Sequence, residues 1–264
     1  MNVKSKKSFF WRSLKILFIL GMFGFFVVVA AASVIALTTP IPSASEFDSR
    51  EVIESTKIYD HTGQTLLFEL YNEEKRTIVP FDQIPRHAKN AAIAIEDSHF
   101  YSHPGISVFS IARAFVTDAL RGQVFVQGGS TITQQLVKNT LLSSEKTLTR
   151  KIKEAVLALK IEQRYSKDEI LDMYLNEIPY GSNTYGIEAA AETFFGVHTS
   201  DLTLAQAAYL AALPKAPSYY SPYGNHKDEL VTRKNIVLKR MEELGFIWAE
   251  EAKAAREEEV VFFP

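Results

Sequence analysis

Residues 127–139, QGGSTITQQLVKN, concentrate side chains that could bind an anion. Two glycines precede hydroxyl residues at a predicted helix start, where unpaired backbone N–H groups and the positive end of the helix dipole favour a phosphate. Lys138 lies three positions after Gln135 and four after Gln134, so one helix face carries all three side chains. The alternative is a serine-capped surface helix with a polar face, and this segment alone does not decide between the two. The residue order excludes a nucleotide-binding P-loop.

Two further segments place acidic side chains in predicted helices. An alanine-rich helix runs into Glu96 and Asp97, at the negative end of its dipole, where acids cost stability unless they are solvated, paired or used. Farther along, Glu154 follows Arg150 by four positions and Lys151 by three, so an acid and two cations share a helix face. A surface ion-pair network of little energetic value is the alternative for this second group.

Taken together, these segments resemble three motifs of the peptidoglycan glycosyltransferases, and two later segments resemble two more. The five blocks, in chain order, are EDSHFYSHPG at 96–105, GGSTITQQ at 128–135, RKIKE at 150–154, YGIEAAAETFFG at 185–196 and LAQAAYLAALP at 204–214. Enzymes of this family polymerise lipid II, either as monofunctional proteins or as the N-terminal half of class A penicillin-binding proteins. Five blocks in the same order make the resemblance specific, and it covers roughly residues 55 to 222.

The resemblance implies a role for each acidic residue of the motifs. Glu96 is expected to be the general base on the 4-hydroxyl of the acceptor GlcNAc. Glu154 is expected to assist departure of the donor diphosphate, directly or through a metal, and attack from the face opposite this leaving group is expected to invert the donor anomeric carbon. A divalent cation, Mg²⁺ or Mn²⁺, is compatible with this chemistry but is not required by the sequence, and no metal ligands are assigned.

Cations, hydroxyls and amides are expected to bind the substrate phosphates and sugars. The candidate substrate-binding residues are Asp97, Ser130, Thr131, Gln134, Gln135, Lys138, Lys146, Arg150 and Lys151. Lys146 stands where many relatives carry arginine, and it keeps the charge without the bidentate fork. Asp97 has two open roles, since it could orient the base or bind a cation, or it could pair with a lysine and organise its loop. His103 is interpreted as a turn residue.

Composition limits the classes of function. The chain has 264 residues, a formal net charge of −2 and 47% hydrophobic residues, enough for one sizeable core. A charge close to neutral argues against a nucleic-acid partner. The absence of cysteine excludes thiolate catalysis and cysteine-based zinc sites.

The N-terminus has the pattern of a membrane anchor. No charged residue interrupts the run from Ile16 to Leu37, which reaches the length of about 20 residues needed to span a bilayer. Lysines precede this run and acids follow it, so the positive-inside rule predicts a cytoplasmic N-terminus and an extracytoplasmic catalytic domain at the bacterial inner membrane. A signal peptide cleaved near Ala32 is the alternative, although the apolar region of such a peptide is usually only about 7–15 residues long.

The remaining sequence predicts a mainly α protein with a short N-terminal β-hairpin within residues 57–70. Capping boxes are predicted at Ser166 with Glu169 and at Thr203 with Gln206. Periodicity indicates one helical domain, and the resemblance implies a lysozyme-like fold with two lobes and a cleft. The predicted organisation is a basic tail at 1–15, a transmembrane anchor at 16–38, a linker at 39–54, the glycosyltransferase domain at 55–249 and a charged helix or linker at 250–264.

Residues 106–126 carry Phe125, Val126 and other apolar side chains that could enter the membrane interface near a lipid-linked substrate. The alternative is that these side chains pack in the core. The expected partners of the whole chain are lipid II, the growing glycan strand and the bilayer, with the cell-wall synthesis machinery as a further candidate.

Two other classes of function stay open. A hydrolase or lytic enzyme of lysozyme-like fold would also use a carboxylate in a saccharide cleft, but it would not need the cationic blocks. A membrane-anchored scaffold that has lost activity is not favoured, because both glutamates are present. No acyl-serine transpeptidase motifs follow, so the chain is either a monofunctional enzyme or the N-terminal part of a bifunctional one.

Overall fold

The computed structural model describes residues 3–38, 56–59, 61–62, 66–70, 75–107, 129–142 and 147–263. Most of these residues are helical. The helices are α1 (Val3–Thr38), α2 (Arg86–Glu96), α3 (Ile132–Thr140), α4 (Leu148–Glu162), α5 (Lys167–Glu177), α6 (Ile187–Phe195), α7 (Leu204–Ala212), α8 (Lys227–Glu243) and α9 (Ala249–Glu257). Single 3-10 turns lie at Phe81–Gln83, Phe100–Ser102 and Thr199–Asp201. The prediction of a mainly α protein is confirmed.

Helix α1 covers the residues of the predicted anchor. A search of the described residues for a helix with both the length and the apolar character of a membrane span finds no candidate.

Strands form two small sheets. β1 (Thr56–Tyr59) pairs antiparallel with β2 (Leu66–Leu70), with Thr56 opposite Leu70. The second sheet has the order β3 (Lys75–Arg76), β5 (Thr184–Tyr185), β4 (Pro179–Gly181), with β3 parallel and β4 antiparallel to β5.

Side-chain caps fix where several helices begin. The boxes predicted at Ser166 with Glu169 and at Thr203 with Gln206 are both present and open α5 and α7. Each satisfies backbone N–H groups that would otherwise lack a partner at the first turn. The end of α6 is fixed by its backbone. This helix stops at Gly196, whose φ of +68° is a left-handed conformation that suits glycine.

The core is built around alanine-rich helices that pack closely. Helix α7 packs against α8 and against α2, while α3 packs against α4 and α5. Ala91, Ala94 and Ala208 are fully buried, which lets the helix backbones approach one another. Larger core residues such as Phe100 and Phe194 fill the space between helices. Helix α9 adds buried Ala252 and Ala255 to this core and keeps its charged residues exposed.

Candidate active site

Glu96 is the last residue of α2, and two other elements contact its carboxylate. The Gln135 amide on α3 donates a 2.7 Å hydrogen bond to Oε2, and Arg233 Nη2 on α8 lies 3.5 Å from Oε1. The Glu96 side chain is 13% exposed, so solvent reaches only part of it. An acid at a helix C-terminus is unfavourable by itself, and these two donors compensate for that position. Glu96 is thus oriented but still accessible.

Asp97 turns away from the helix and organises the loop that follows. Its backbone φ of −156° ends α2, and its buried carboxylate accepts 2.9 Å hydrogen bonds from His103 Nε2. The same carboxylate accepts the backbone N–H of Ile132 at the start of α3. His103 Nδ1 accepts the N–H of Gly105, so the ring protonated on Nε2 satisfies both contacts. Asp97 therefore ties the Glu96 loop to α3 and organises the loop as the second expected role described, but its partner is His103 and not a lysine.

The first turn of α3 uses two of the predicted substrate contacts for its own structure. Thr131 and Gln134 form a capping box with each other, and the Thr131 hydroxyl also donates to the Gly105 carbonyl at 2.6 Å. Both side chains are buried, at 2% and 3% exposure. Ser130, just before the helix, is only partly buried and accepts a 2.6 Å hydrogen bond from Lys151.

Glu154 is buried at 1% exposure on α4, and its two oxygens face different cations. Lys151 Nζ donates to Oε2 at 2.7 Å. Arg150 Nε lies 3.4 Å from Oε1 in an ion pair that lacks hydrogen-bond geometry, so neither of these buried atoms has a hydrogen-bond partner within the described part of the chain. A buried carboxylate that is incompletely bonded is costly, and sites of function commonly tolerate such a cost. The prediction is confirmed that Glu154, Arg150 and Lys151 share one helix face.

Lys138 on α3 interacts electrostatically with both glutamates. Partial burial lowers the pKa of Lys138, with a further lowering from Arg150 and Lys151, whereas Glu154 and Glu96 act in the opposite direction. Helix α3 and the residues just before it also connect to both acids, because Gln135 donates to Glu96 and Ser130 accepts a hydrogen bond from Lys151, which pairs with Glu154. Gln135 and Lys138 share one face of α3, so this helix positions an amide on the first acid and a cation near the second.

Arg233 and Lys215 were not predicted from the sequence, yet both lie near Glu96. Arg233 Nε donates to the Ala212 carbonyl at the end of α7, which aims the guanidinium at the acid. Burial lowers the pKa of Arg233 and the attraction of Glu96 opposes this shift. Burial and then Arg233 lower the pKa of Lys215, again against the attraction of Glu96. Arg233 follows Glu96 by 137 positions, so no local spacing could have indicated the contact.

Two buried tyrosines lie behind Glu96 and were also missed. Burial raises the pKa of Tyr174 and of Tyr180, and the charge of Glu96 raises both further. The hydroxyl of Tyr174 has no hydrogen-bond partner among the residues that the structure describes. Tyr174 lies in α5 and Tyr180 in strand β4, and no motif of the sequence singled out either of them.

Three predictions fall outside the described residues. Lys146 is one, the linker at 39–54 is another, and the proposed interfacial segment is the third, of which only Ile106 and Ser107 are described.

A partly exposed carboxylate, a second buried carboxylate and several cations on helices are typical of an enzyme that transfers a group carried on an anionic leaving group. The chain belongs to the transglycosylase family, because the family model described as Transglycosylase matches residues 63–242. It is 44% identical over 243 residues to penicillin-binding protein 1A of Aquifex aeolicus, covering 90% of this chain and 32% of that protein. It is 45% identical to penicillin-binding protein 1A/1B of Bacillus subtilis, covering 92% of this chain and 25% of that protein.

Among solved structures, the crystal structure of penicillin-binding protein 1A from Haemophilus influenzae matches 79% of this chain and 21% of its own, with 25% identity and a TM-score of 0.44. The chain therefore spans a third or less of the length of these larger relatives.

Proposed function

We propose that this chain is a peptidoglycan glycosyltransferase that polymerises lipid II into β-1,4-linked glycan strands and releases undecaprenyl diphosphate. The observation that carries the proposal is that α3 and the residues just before it connect to both acids: Gln135 donates to Glu96, and Ser130 accepts a hydrogen bond from Lys151, which pairs with Glu154. It brings a candidate base and a candidate phosphate-binding group into one region of a transglycosylase-family domain. The lysozyme-like, two-lobed architecture belongs to the same proposal.

Glu96 takes the proton from the 4-hydroxyl of the acceptor GlcNAc. The freed oxygen attacks the anomeric carbon of the donor from the face opposite the diphosphate, the bond from that carbon to the diphosphate oxygen breaks, and the configuration inverts. Gln135 and Arg233 orient Glu96, since both contact its carboxylate while leaving it partly exposed. Positioning of this kind is a large part of the catalytic effect of such a base.

The negative charge that develops on the departing diphosphate is met by Lys138, Arg150 and Lys151. Preformed cations stabilise such charge without reorganisation at the moment of reaction. Glu154 contacts both Arg150 and Lys151, so its role is to hold these cations toward the leaving group. Ser130 contributes a hydroxyl beside Lys151.

The chain's own cations bear on whether a divalent cation is needed. Mg²⁺ or Mn²⁺ would have to approach Glu154, whose carboxylate already contacts two positively charged side chains. These residues do not fit a resident divalent cation.

The proposed protein is anchored in the bacterial inner membrane through residues 16–38, with its catalytic domain on the extracytoplasmic side. The support is the uncharged run from Ile16 to Leu37 and the basic residues that precede it. An anchor would hold the site at the surface where a lipid-linked substrate resides, and wall-synthesis proteins could then be partners at that surface.

Polymerisation of labelled lipid II by the detergent-solubilised chain tests the proposal. We expect long glycan strands from the wild type and no polymer from Glu96→Gln, which keeps the shape of the side chain and removes its basicity. A folded wild type that makes no polymer would contradict the proposal, and shortening of preformed glycan would instead indicate a hydrolase.

A further inference from the structure

Three potential metal ligands lie together on residues that the proposed transfer does not use. Glu188 and Glu192 are one turn apart on α6, and His198 follows in the loop after that helix. One carboxylate oxygen from each glutamate and one ring nitrogen of His198 all lie within 4.8 Å of one another. Within the described part of the chain, this is the one group of three acidic or histidine side chains with such spacing.

Glu188 is held in the orientation that a metal ligand requires. Its Oε2 accepts the backbone N–H of Thr199 at 2.8 Å, while Oε1 faces His198 Nδ1 at 2.7 Å. A ligating carboxylate commonly has its second oxygen fixed in this way.

The cluster is also open to an approaching ion. The His198 side chain is 70% exposed, whereas Glu188 is 10% exposed, so the buried acid forms the floor and the imidazole forms the rim. His198 Nδ1 lies 3.8 Å from Glu192 Oε1, which closes the group on its second side. Without a metal, a proton holds His198 Nδ1 and the Glu188 carboxylate together in a hydrogen bond, and Glu192 lies nearby.

Replacing that proton by an ion needs little movement. Zinc binds imidazole nitrogen and carboxylate oxygen at about 2.0–2.2 Å, which places the two ligand atoms about 3.4 Å apart in tetrahedral geometry. The two nitrogen–oxygen separations of 2.7 and 3.8 Å lie on either side of this value. One imidazole with two carboxylates suits a divalent ion of the zinc class better than Mg²⁺, which prefers oxygen ligands alone.

We propose that Glu188, Glu192 and His198 bind a divalent transition-metal ion of the zinc class, with water completing its coordination. Such an ion links α6 to the turn at Thr199–Asp201 and so stabilises the way the chain passes from α6 to α7. It takes no part in glycosyl transfer. The site is a structural addition that stands independently of the proposed enzymatic activity.

Zinc titration of the full chain, purified in detergent without a polyhistidine tag and stripped with chelator, tests the site. We expect one equivalent to bind the wild type, and the affinity to fall roughly tenfold or more in His198→Ala and in Glu192→Gln. His61→Ala, which removes an exposed imidazole elsewhere, is the matched control and should bind like the wild type.

The second measurement is the thermal unfolding of each variant with and without zinc. Zinc should raise the Tm of the wild type and of His61→Ala, and it should leave the Tm of His198→Ala unchanged, while the circular dichroism of each metal-free variant checks that it is folded. Wild-type affinity in a folded His198→Ala variant would overturn the proposal, and so would binding of Mg²⁺ as tightly as zinc.

Discussion

Gln134 and Gln135 are adjacent amides that the structure places in different roles. Gln134 is buried and closes the capping box with Thr131, whereas Gln135 donates to the Glu96 carboxylate. The sequence treats the two alike, because their spacing to Lys138 puts both on one broad helix face. Only the backbone geometry at the helix start separates a residue that stabilises α3 from one that orients the candidate base.

Substitution by alanine should therefore separate stability from activity. Gln135→Ala should lower the rate of lipid II polymerisation by roughly 10²-fold through misplacement of Glu96, with little change in Tm. Gln134→Ala should lower the free energy of unfolding by about 1 kcal/mol, since it removes half of the capping box. Polymerisation rates and thermal unfolding of both variants check this. An equal loss of activity in the two variants, or a large loss of stability in Gln135→Ala, would contradict the assignment.

Lys138 gives the site a predicted limit at alkaline pH. Its pKa lies below the ordinary value of 10.5, chiefly because of burial, so it loses its proton earlier than a solvated lysine as the pH rises. Only the protonated form can bind the departing diphosphate, and activity should fall as the pH passes this lowered pKa. Lys138→Arg should move the alkaline decline to higher pH, because arginine stays protonated throughout that range.

Lys215→Arg is the control for that shift, since the pKa of Lys215 is lowered too, though by a different set of neighbours. The pH profile of polymerisation should keep its wild-type decline in Lys215→Arg. If the alkaline decline moved in Lys215→Arg and stayed in place in Lys138→Arg, the titrating group would be Lys215, and the assignment to Lys138 would be wrong.

At the scale of elements, a buried polar clasp joins the Glu96 loop to the helices behind it. We use this name for Glu162, Lys167, Thr133 and the carbonyl of His103. The Glu162 carboxylate accepts hydrogen bonds from the Thr133 hydroxyl and from Lys167, and Lys167 also donates to the His103 carbonyl at 2.7 Å. Lys167 also lies over the ring of Phe100, at 4.5 Å from its centroid. The clasp thus connects α3, α4 and α5 with the loop that carries the candidate base.

Removing only the positively charged member of the clasp should destabilise the fold. The Glu162 side chain is 8% exposed, so Lys167→Met leaves a nearly buried carboxylate unpaired and should cost about 3 kcal/mol. Glu162→Gln combined with Lys167→Met should recover part of that loss, because no unpaired charge then remains. Lys239→Met removes an exposed ion pair with Glu243 and should change stability by less than about 0.5 kcal/mol. Chemical denaturation of the three variants measures these differences, and equal effects of Lys167→Met and Lys239→Met would argue against the clasp.

Local spacing explains which elements and contacts could be predicted. The i,i+3 and i,i+4 relations of Glu154 to Lys151 and Arg150, and the capping boxes of α5 and α7, lie within a few positions and follow from helix geometry alone. The contact of Arg233 with Glu96 depends on how α8 packs beside α2, which no local pattern encodes. Thr131 and Gln134 were expected to face substrate because a sequence shows a polar face without showing which side chains the helix start itself consumes.

At the scale of the whole molecule, the net charge is small, whereas positive side chains are concentrated at the candidate site. The net charge is only −2, yet Lys138, Arg150, Lys151, Lys215 and Arg233 gather around the two glutamates. Weak net charge gives little long-range attraction for an anionic substrate, so delivery must depend on where the molecule is held. A membrane anchor would supply that location, since lipid-linked substrates are confined to the bilayer.

The uncharged run from Ile16 to Leu37 can be tested within the full chain. Phe23→Arg combined with Val27→Arg should release the protein from membranes into the soluble fraction, because each arginine near the centre of a spanning helix costs about 3 kcal/mol of insertion. Both positions are exposed on α1, at 68% and 52%.

Val231→Arg combined with Ile236→Arg is the matched control, since these exposed apolar residues of α8 lie outside the run. This control variant should stay with the membranes after an alkaline wash. If the α1 variant also stays with the washed membranes, another part of the chain holds the protein there. If the wild type is already soluble, the anchor is wrong, and the catalytic domain must reach its lipid-linked substrate by other contacts.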